Sequence, residues 1–415
     1  MPQQPLVSVV VPAYNSERFL PACLASLRRQ KPVPHAKPAT LRRQKPATPA
    51  TSATPAPHAK PATPASPEPP DAHEPPEPPE LFEIVCVDDG STDSTPDILA
   101  AAASADPRVR VITQANAGVS AARNTGLDAS RGTYICFLDA DDCFEPDMLS
   151  SMSSALERDG ADICVCRGYE LDMRTGERTV TRSSLRLERI PEKVPFTPRE
   201  ASAHLFDFTT FPCMSKMWRR SLITDSSIRH RPYRNCADVV FTSETLLAAR
   251  LITVVDKPLY TYRMFAGGSL SESMSRNILT GFEALCEVRR ILDERGEYGV
   301  YEQSFTNKAL GHLLANAEKA ADEDTFAVWY DRMVSGGFDE LGITGRDASY
   351  FYKRADYDSL CAILAADGPA SARAALHPDG SPFAGRPPAS FPARQLARAR
   401  SALGCARASL FWRLS

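Results

Sequence analysis

The sequence lacks any hydrophobic run near the ~20 residues that a membrane-spanning helix needs, and its first residues lack the basic and apolar regions of a secretory signal. It also has little net charge, −3 at pH 7, so its composition gives no indication of nucleic acid as a partner. On these grounds we expect a cytoplasmic protein.

Two further absences narrow the class of protein that the sequence can encode. No GxGxxG turn follows the first predicted strand, Val7–Val11, which disfavours a dinucleotide-binding fold. The 11 cysteines form no CxxC pair, which disfavours zinc. Several of them, such as Cys86 and Cys136, fall in apolar runs, so we interpret them as core residues of a reduced protein.

What is present is an alternation of apolar strands and helical segments. Strands are predicted at Val7–Val11, Leu81–Val87, Val109–Ile112 and Tyr134–Leu138. Continuous β-branched and aromatic runs are typical of strands buried on both faces, as in a parallel α/β sheet.

The segment from Lys31 to Glu80 interrupts this alternation. It holds 16 of the chain's 35 prolines, and the sequence LRRQKP of residues 27–32 recurs at residues 41–46. Such a composition cannot bury a core and predicts a disordered or polyproline-like insertion. It falls between a helix and the next strand, at the end of the sheet away from a ligand crevice, so we favour a neutral expansion over a partner-binding segment.

Three acids follow the fourth strand directly: Asp139, Asp141 and Asp142. Ligands of open α/β sheets bind outside the carboxyl ends of the strands, and oxygen ligands at this spacing suit Mg²⁺ or Mn²⁺ shared with substrate phosphates. The alternative is a solvated turn whose acids cap the next helix.

Polar residues also follow the first two strands. Asp89 can accept a hydrogen bond from a base imide, Tyr14 can stack on a nucleobase, and Asp139 can reach a ribose hydroxyl. Arg123 offers a fork for phosphate or carboxylate, with a structural salt bridge as the alternative. Together they describe a site for a nucleoside diphosphate attached to another group.

Four motifs in this order, at 7–15, 87–91, 118–124 and 139–142, resemble family 2 glycosyltransferases of the GT-A fold, over about residues 6–263 without the insertion. The resemblance implies a Rossmann-like mixed sheet flanked by helices, and an inverting transferase that uses a nucleotide sugar, most often a UDP-sugar, with a divalent cation. The residues that it implies for the donor are Pro12, Tyr14, Asn15, Asp88, Asp89, Arg123 and Asp139. It implies Asp141, with Asp139, as the metal ligands.

The same resemblance places the catalytic base in a Glu-Asp pair that opens a helix. Here Asp238 matches the second member, and Ala237 replaces the first. The alternative role of Asp238 is a helix cap or a first-turn acid. Lys216, Trp218 and Arg263 lie in segments that resemble substrate-contacting parts of the family, and we favour packing as the role of Trp218.

The predicted organisation is a catalytic domain over residues 1–265, a helical region over 266–367 and a Pro/Arg-rich linker with a basic tail helix over 368–415. An apolar stripe from Leu279 to Leu292 indicates a core-facing helix. The tail from Arg386 carries six arginines and no acid, which fits either an anionic membrane surface or a helix docked on the protein.

The expected function is transfer of a sugar to a glycan or lipid-linked hydroxyl acceptor in surface polysaccharide or glycolipid biosynthesis. A nucleotidyltransferase would need a glycine-rich basic loop after the first strand, and residues 12–16 contain none. A homologue that binds nucleotide or membrane without catalysis is the other alternative, because Ala237 departs from the family pattern.

Overall fold

The computed structural model describes residues 5–33, 82–233, 235–265 and 277–376. Within them nine strands form one mixed sheet in the order β3-β2-β1-β4-β8-β6-β9-β5, with β7 beside β6. The strands are β1 (Val7–Ala13), β2 (Phe82–Asp88), β3 (Val109–Thr113), β4 (Tyr134–Phe137), β5 (Cys143–Phe144), β6 (Ile163–Asp172), β7 (Arg178–Thr181), β8 (Lys216–Arg219) and β9 (Ile252–Met264).

Helices cover the sheet and continue beyond it. They are α1 (Leu20–Arg28), α2 (Thr95–Ala105), α3 (Val119–Ala129), α4 (Met148–Asp159), α5 (Arg220–Asp225), α6 (Ala237–Ala248), α7 (Thr280–Glu294), α8 (Tyr298–Ala317), α9 (Glu323–Arg332), α10 (Phe338–Glu340), α11 (Arg354–Ala365) and α12 (Pro369–Leu376). Short turns of tighter or wider helix lie at Leu187–Arg189, Cys213–Ser215, Met333–Gly337 and Ala348–Tyr350. The predicted mixed sheet with flanking helices and a helical C-terminal region is confirmed.

The first half of the sheet is the predicted parallel unit. β1 pairs in parallel with β2 on one side and with β4 on the other, and all three strands are buried along their length. Helix α3 packs closely on β1 because residue 126 is glycine: a Cβ there would lie 2.3 Å from a methyl of Val10. The close approach of helix and strand explains the small residues of this segment.

The strands end within one or two residues of the predicted positions, and three other boundaries differ from the predicted ones. Helix α1 begins at Leu20 instead of near Ser16, because residues 16–19 form a turn in which the Ser16 carbonyl accepts from the amides of Phe19 and Leu20. Lys31 belongs to the folded part, since its amide donates to the Pro146 carbonyl over 2.6 Å. Helix α12 lies beyond residue 367, with Ala372 fully buried.

The helical region shares a core with the sheet. Phe282, Leu285, Val288 and Leu292 of the predicted stripe are buried, in the same apolar cluster as Phe137 of β4 and residues of α6 and α8. The rest of the predicted insertion, residues 34–80, and the predicted tail helix lie outside the described residues.

Candidate active site

The loops that follow β1, β2 and β4 lie side by side. Ala13 is paired with Asp88 in the register of β1 and β2, and the Asp89 amide donates to the Ala13 carbonyl over 2.9 Å. On the other side the Leu138 amide donates to the Val10 carbonyl over 3.0 Å. The three loops therefore meet at one edge of the sheet, as the motif spacing predicts.

Asn15 joins the first two loops. Its amide donates to Ser91 Oγ (3.1 Å), its Oδ1 accepts from the Thr92 amide (2.8 Å), and its backbone is in the left-handed region at φ 47°. The neighbouring Tyr14 is 51% exposed, a large amount for a tyrosine, whereas Pro12 is buried within β1. Of these three, Tyr14 has an exposed ring, and Asn15 fixes the loop next to it.

Asp89 is a buried acid that joins the loop after β2 to the start of α3. It is buried, and its carboxylate accepts from Gln114 Nε2 (2.7 Å) and from the amides of Ala117 (2.9 Å) and Gly118 (2.8 Å), at the start of α3. A carboxylate has about four acceptor positions, so roughly one is left for a ligand. Asp88 is buried too, and it accepts from the Ser91 amide over 3.0 Å.

Arg123 joins the loop that follows β4 to the first turn of α6. Its Nη2 donates to Asp139 Oδ1 and its Nη1 donates to Asp238 Oδ1, each over 2.7 Å, and its side chain is only 6% exposed. The salt bridge posed as the alternative is present, and it joins the acid after β4 to the acid that opens α6. Any direct contact of Arg123 with a donor stays a prediction.

Asp238 lies in the first turn of α6, and its side chain is half-buried. Cys213 Sγ is 3.3 Å from its Oδ1, and His230 Nδ1 is 4.0 Å from the same atom. Burial raises the pKa of the Asp238 carboxyl, and Arg123 opposes that rise. A carboxylate whose pKa is raised by burial, and which a guanidinium orients, is suited to accept a proton.

Cys213, His230 and Asp238 also present three atoms within 4.8 Å of one another, a spacing that fits a metal ion. Arg123 already donates to the same Asp238 oxygen over 2.7 Å, so a cation in this cluster would lie against a guanidinium. We therefore interpret the cluster as the surroundings of Asp238.

The acids after β4 fit a hard divalent cation. Burial first, and Asp139 second, raise the pKa of Asp141 to about 6, so negative charge is crowded here. Asp142 is fully buried; its Oδ1 accepts from the Arg263 amide (2.9 Å), and its Oδ2 has no hydrogen-bond partner among the described residues. Carboxylate oxygens are the donor set that Mg²⁺ and Mn²⁺ prefer.

Three residues that the resemblance links to substrate make structural contacts within the protein. Arg263 donates to the Asp141 carbonyl and to Cys143 Sγ, so it braces the acidic loop. Trp218 is completely buried, with Nε1 donating to Thr245 Oγ1 over 3.1 Å. Lys216 is completely buried as well, and its Nζ donates to the backbone carbonyls of Thr210 and Pro212. Its side chain therefore has a structural role in place of the predicted contact with substrate.

Sequence reasoning missed Cys213 and His230. His230 stacks on Phe241 with ring centroids 3.9 Å apart, and Asn124 holds its backbone through two hydrogen bonds. No spacing pattern connects these residues to Asp238, because they come from separate loops.

Comparison with known proteins agrees with this architecture. Residues 73–224 match the family model "Glycosyl transferase family 2". The uncharacterized glycosyltransferase EpsJ of Bacillus subtilis is 30% identical over 260 residues, which are 62% of this chain and 61% of EpsJ. The succinoglycan biosynthesis protein ExoO of Rhizobium meliloti is 30% identical over 45% of this chain and 53% of its own length.

Among solved structures, S. aureus TarS 1-349 in complex with UDP-GlcNAc has a TM-score of 0.58 at 18% identity, covering 97% of this chain and 92% of that one. Residues 73–224 are thus similar to family 2 glycosyl transferases, and the chain shares the fold of TarS 1-349. It spans less than two thirds of the length of EpsJ.

Proposed function

We propose that this protein transfers a sugar from a nucleoside diphosphate sugar to a hydroxyl acceptor with inversion at the anomeric carbon. The observation that carries the proposal is the Arg123 bridge, in which the two terminal nitrogens of one guanidinium bind Asp139 and the carboxylate of Asp238. A displacement reaction needs both groups in a single site.

The donor end suits a nucleotide. Tyr14 offers an exposed ring to the base, and the remaining acceptor capacity of Asp89 suits an imide, which favours a UDP-sugar. Asp141, together with the Asp139 oxygen that Arg123 does not contact, would hold Mg²⁺ or Mn²⁺, and the cation would neutralise charge on the leaving diphosphate.

Asp238 is the proposed base. It removes the proton of the acceptor hydroxyl while that oxygen forms its bond to the anomeric carbon and the bond to the diphosphate oxygen breaks. Burial strengthens the carboxylate as a base, and Arg123 fixes its orientation. The acceptor is proposed to be a glycan or a lipid-linked saccharide; the name of ExoO places that relative in polysaccharide biosynthesis.

The proposal is tested by screening UDP-, GDP- and TDP-sugars for cleavage with Mn²⁺ or Mg²⁺, in the wild type, Asp141→Ala and Asp238→Asn. Cleavage of one donor by the wild type, lost in Asp141→Ala and reduced in Asp238→Asn, is the expected result. Equal cleavage by all three proteins would contradict the assigned site.

One observation favours a second candidate, a homologue that binds nucleotide without turnover. Ala237 is buried at the start of α6, where the family has an acid. This candidate predicts metal-dependent nucleotide binding with no product from any donor and acceptor, whereas cleavage that depends on Asp141 excludes it.

We also propose that the protein works in the cytoplasm, at the inner face of the plasma membrane, through the basic tail from Arg386. Within the described ranges, no helix has both the length and the apolar character to cross a bilayer. Co-sedimentation with anionic vesicles, lost when the tail arginines are replaced by glutamine, is the expected result; equal sedimentation of both proteins would contradict it.

A further inference from the structure

The segment beside Asp238, residues 209–212, is held by hydrogen bonds from side chains to its backbone carbonyls. Segment 209–212 leads directly into Cys213, whose sulfur lies 3.3 Å from Asp238 Oδ1. All four of its carbonyl oxygens accept hydrogen bonds from side chains that come from three different elements. A loop held at every carbonyl has little freedom to move.

Two of the donors are lysines, of which Lys216 is completely buried and Lys308 is half-buried. Lys216 of β8 donates to the carbonyls of Thr210 (2.6 Å) and Pro212 (3.0 Å). Lys308 of α8 donates to the carbonyl of Thr209 (2.8 Å), and its Nζ lies 4.7 Å from the centre of the Phe211 ring. Burial lowers the pKa of Lys216 to about 8 and that of Lys308 to about 7.

The third donor is Thr242 of α6, whose hydroxyl donates to the Phe211 carbonyl over 2.6 Å. One turn after Lys308 on the same face of α8, His312 packs edge-on against the Phe211 ring at 5.6 Å and lies 3.8 Å from Cys236 Sγ. Cys236 directly precedes α6, in the left-handed conformation. Helix α8 therefore contacts both flanks of Asp238.

We propose that Lys308 is a positioning residue for the transfer reaction: through the carbonyl of Thr209 it holds segment 209–213 so that Cys213 and Asp238 keep their geometry. The helical region is in this sense part of the catalytic site. The expected effect on kcat rests on the proposed function, whereas the expected effect on the order of segment 209–213 does not.

Stability alone does not explain this lysine. Moving an ammonium group out of water costs free energy, and replacement of buried ionic groups by apolar residues of similar volume is often neutral or stabilising. Methionine has a similar length, so Lys308→Met removes the hydrogen bond to Thr209 while filling the space. A lysine ammonium that is partly removed from water at such a cost is better explained by the segment that it orders.

The test compares Lys308→Met with Arg295→Met. Arg295 Nη2 also donates across to a backbone carbonyl of the sheet domain, that of Leu247, over 3.1 Å, but it does not touch segment 209–213. It is thus a matched control for lost packing between the helical region and α6.

Two readouts separate the inference from the proposed function. The first is alkylation of Cys213 by iodoacetamide, measured on tryptic peptide 200–216, in which Cys213 is the single cysteine. Lys308→Met is expected to raise the rate by about tenfold or more, because local opening exposes the thiol. The second is cleavage of the donor found in the screen: kcat is expected to fall about 10- to 100-fold with the donor KM unchanged.

Arg295→Met is expected to match the wild type in both readouts. Wild-type alkylation and kcat in Lys308→Met, or equal changes in both variants, would overturn the inference. If Lys308→Met does not fold, Lys308→Gln is compared with Thr242→Val. Lys308→Gln keeps a donor for the Thr209 carbonyl but loses the charge, whereas Thr242→Val removes the donor to the Phe211 carbonyl. Faster alkylation of Cys213 in Thr242→Val than in Lys308→Gln supports the inference, and wild-type alkylation rates in both variants oppose it. Absence of donor cleavage by the wild type would count against the proposed function, while the alkylation result would still stand.

Discussion

The proposed donor end of the site, at the loops after β1, β2 and β4, and its proposed acceptor end, around Asp238, are built in different ways. At the donor end, short loops after adjacent parallel strands bind each other, as Asn15 binds Ser91 and Thr92. At the acceptor end, Asp238 is surrounded by Arg123, Cys213 and His230, which come from α3 and from two loops far apart in sequence. The donor end thus depends on local motifs, and the acceptor end depends on how the whole domain packs.

Asp238→Asn should have the largest effect. Loss of a general base typically lowers kcat by about 10²- to 10⁴-fold, and the donor KM should change little because Asp238 lies outside the donor loops. Steady-state kinetics of donor cleavage measure both values. Glu244→Gln is the control, an acid of the same helix whose partner is Arg231. A reduced donor affinity in Asp238→Asn would place this residue at the donor end instead.

Arg123→Lys should damage both ends at once. Lysine carries a single compact charge and cannot donate a fork to two carboxylates, so Asp139 and Asp238 lose their common orientation. We expect kcat to fall about 100-fold and the donor KM to rise. Arg231→Lys, at an arginine that pairs with Glu244 and Glu287, is the control. A change confined to KM would mean that Arg123 serves the donor end alone.

The affinity for Mn²⁺ should depend on pH at the donor end. The pKa of Asp141 is raised to about 6, chiefly by burial, and a metal ligand must be deprotonated. Below pH 6 a proton competes with the cation, so the affinity should fall by up to about tenfold per pH unit, and it should level off above pH 7. Titration calorimetry with Mn²⁺ measures this, and a flat profile between pH 5 and 7 would show that Asp141 is not a ligand.

Gly90→Ala should have the smallest effect. Its φ of +75° lies in the left-handed region, and a Cβ there would meet the Asn116 amide nitrogen at 2.9 Å. We expect the free energy of unfolding to fall by about 1–2 kcal/mol, with a raised donor KM and an unchanged kcat. Gly160→Ala, at a left-handed glycine with open space around its Cβ, is the control for backbone strain alone. Equal donor KM values in the two variants would contradict a role of Gly90 in the donor loop.

The difference between local motifs at one end of the site and long-range packing at the other explains which parts of the site could be predicted from the sequence. Parallel strands bring their carboxyl ends to one edge, so residues such as Asp89 and Asp139 could be placed together from their position after a buried run. The pairing of Arg123 with Asp238 joins residues 115 positions apart, and that of Lys308 with Thr209 joins residues 99 apart. No local periodicity encodes such contacts, because they arise only when the helices pack on the finished sheet.

The central claim is that both ends form one site through Arg123, and the most direct measurement is a double-mutant cycle on the free energy of unfolding with Asp139→Asn and Asp238→Asn. Each single change leaves Arg123 one carboxylate and relieves repulsion between the two acids, whereas the double change leaves a buried guanidinium with neither. We predict that the double variant is destabilised by about 0.5–3 kcal/mol more than the sum of the single changes. Additivity within about 0.3 kcal/mol would show that the two ends are independent and would contradict the account.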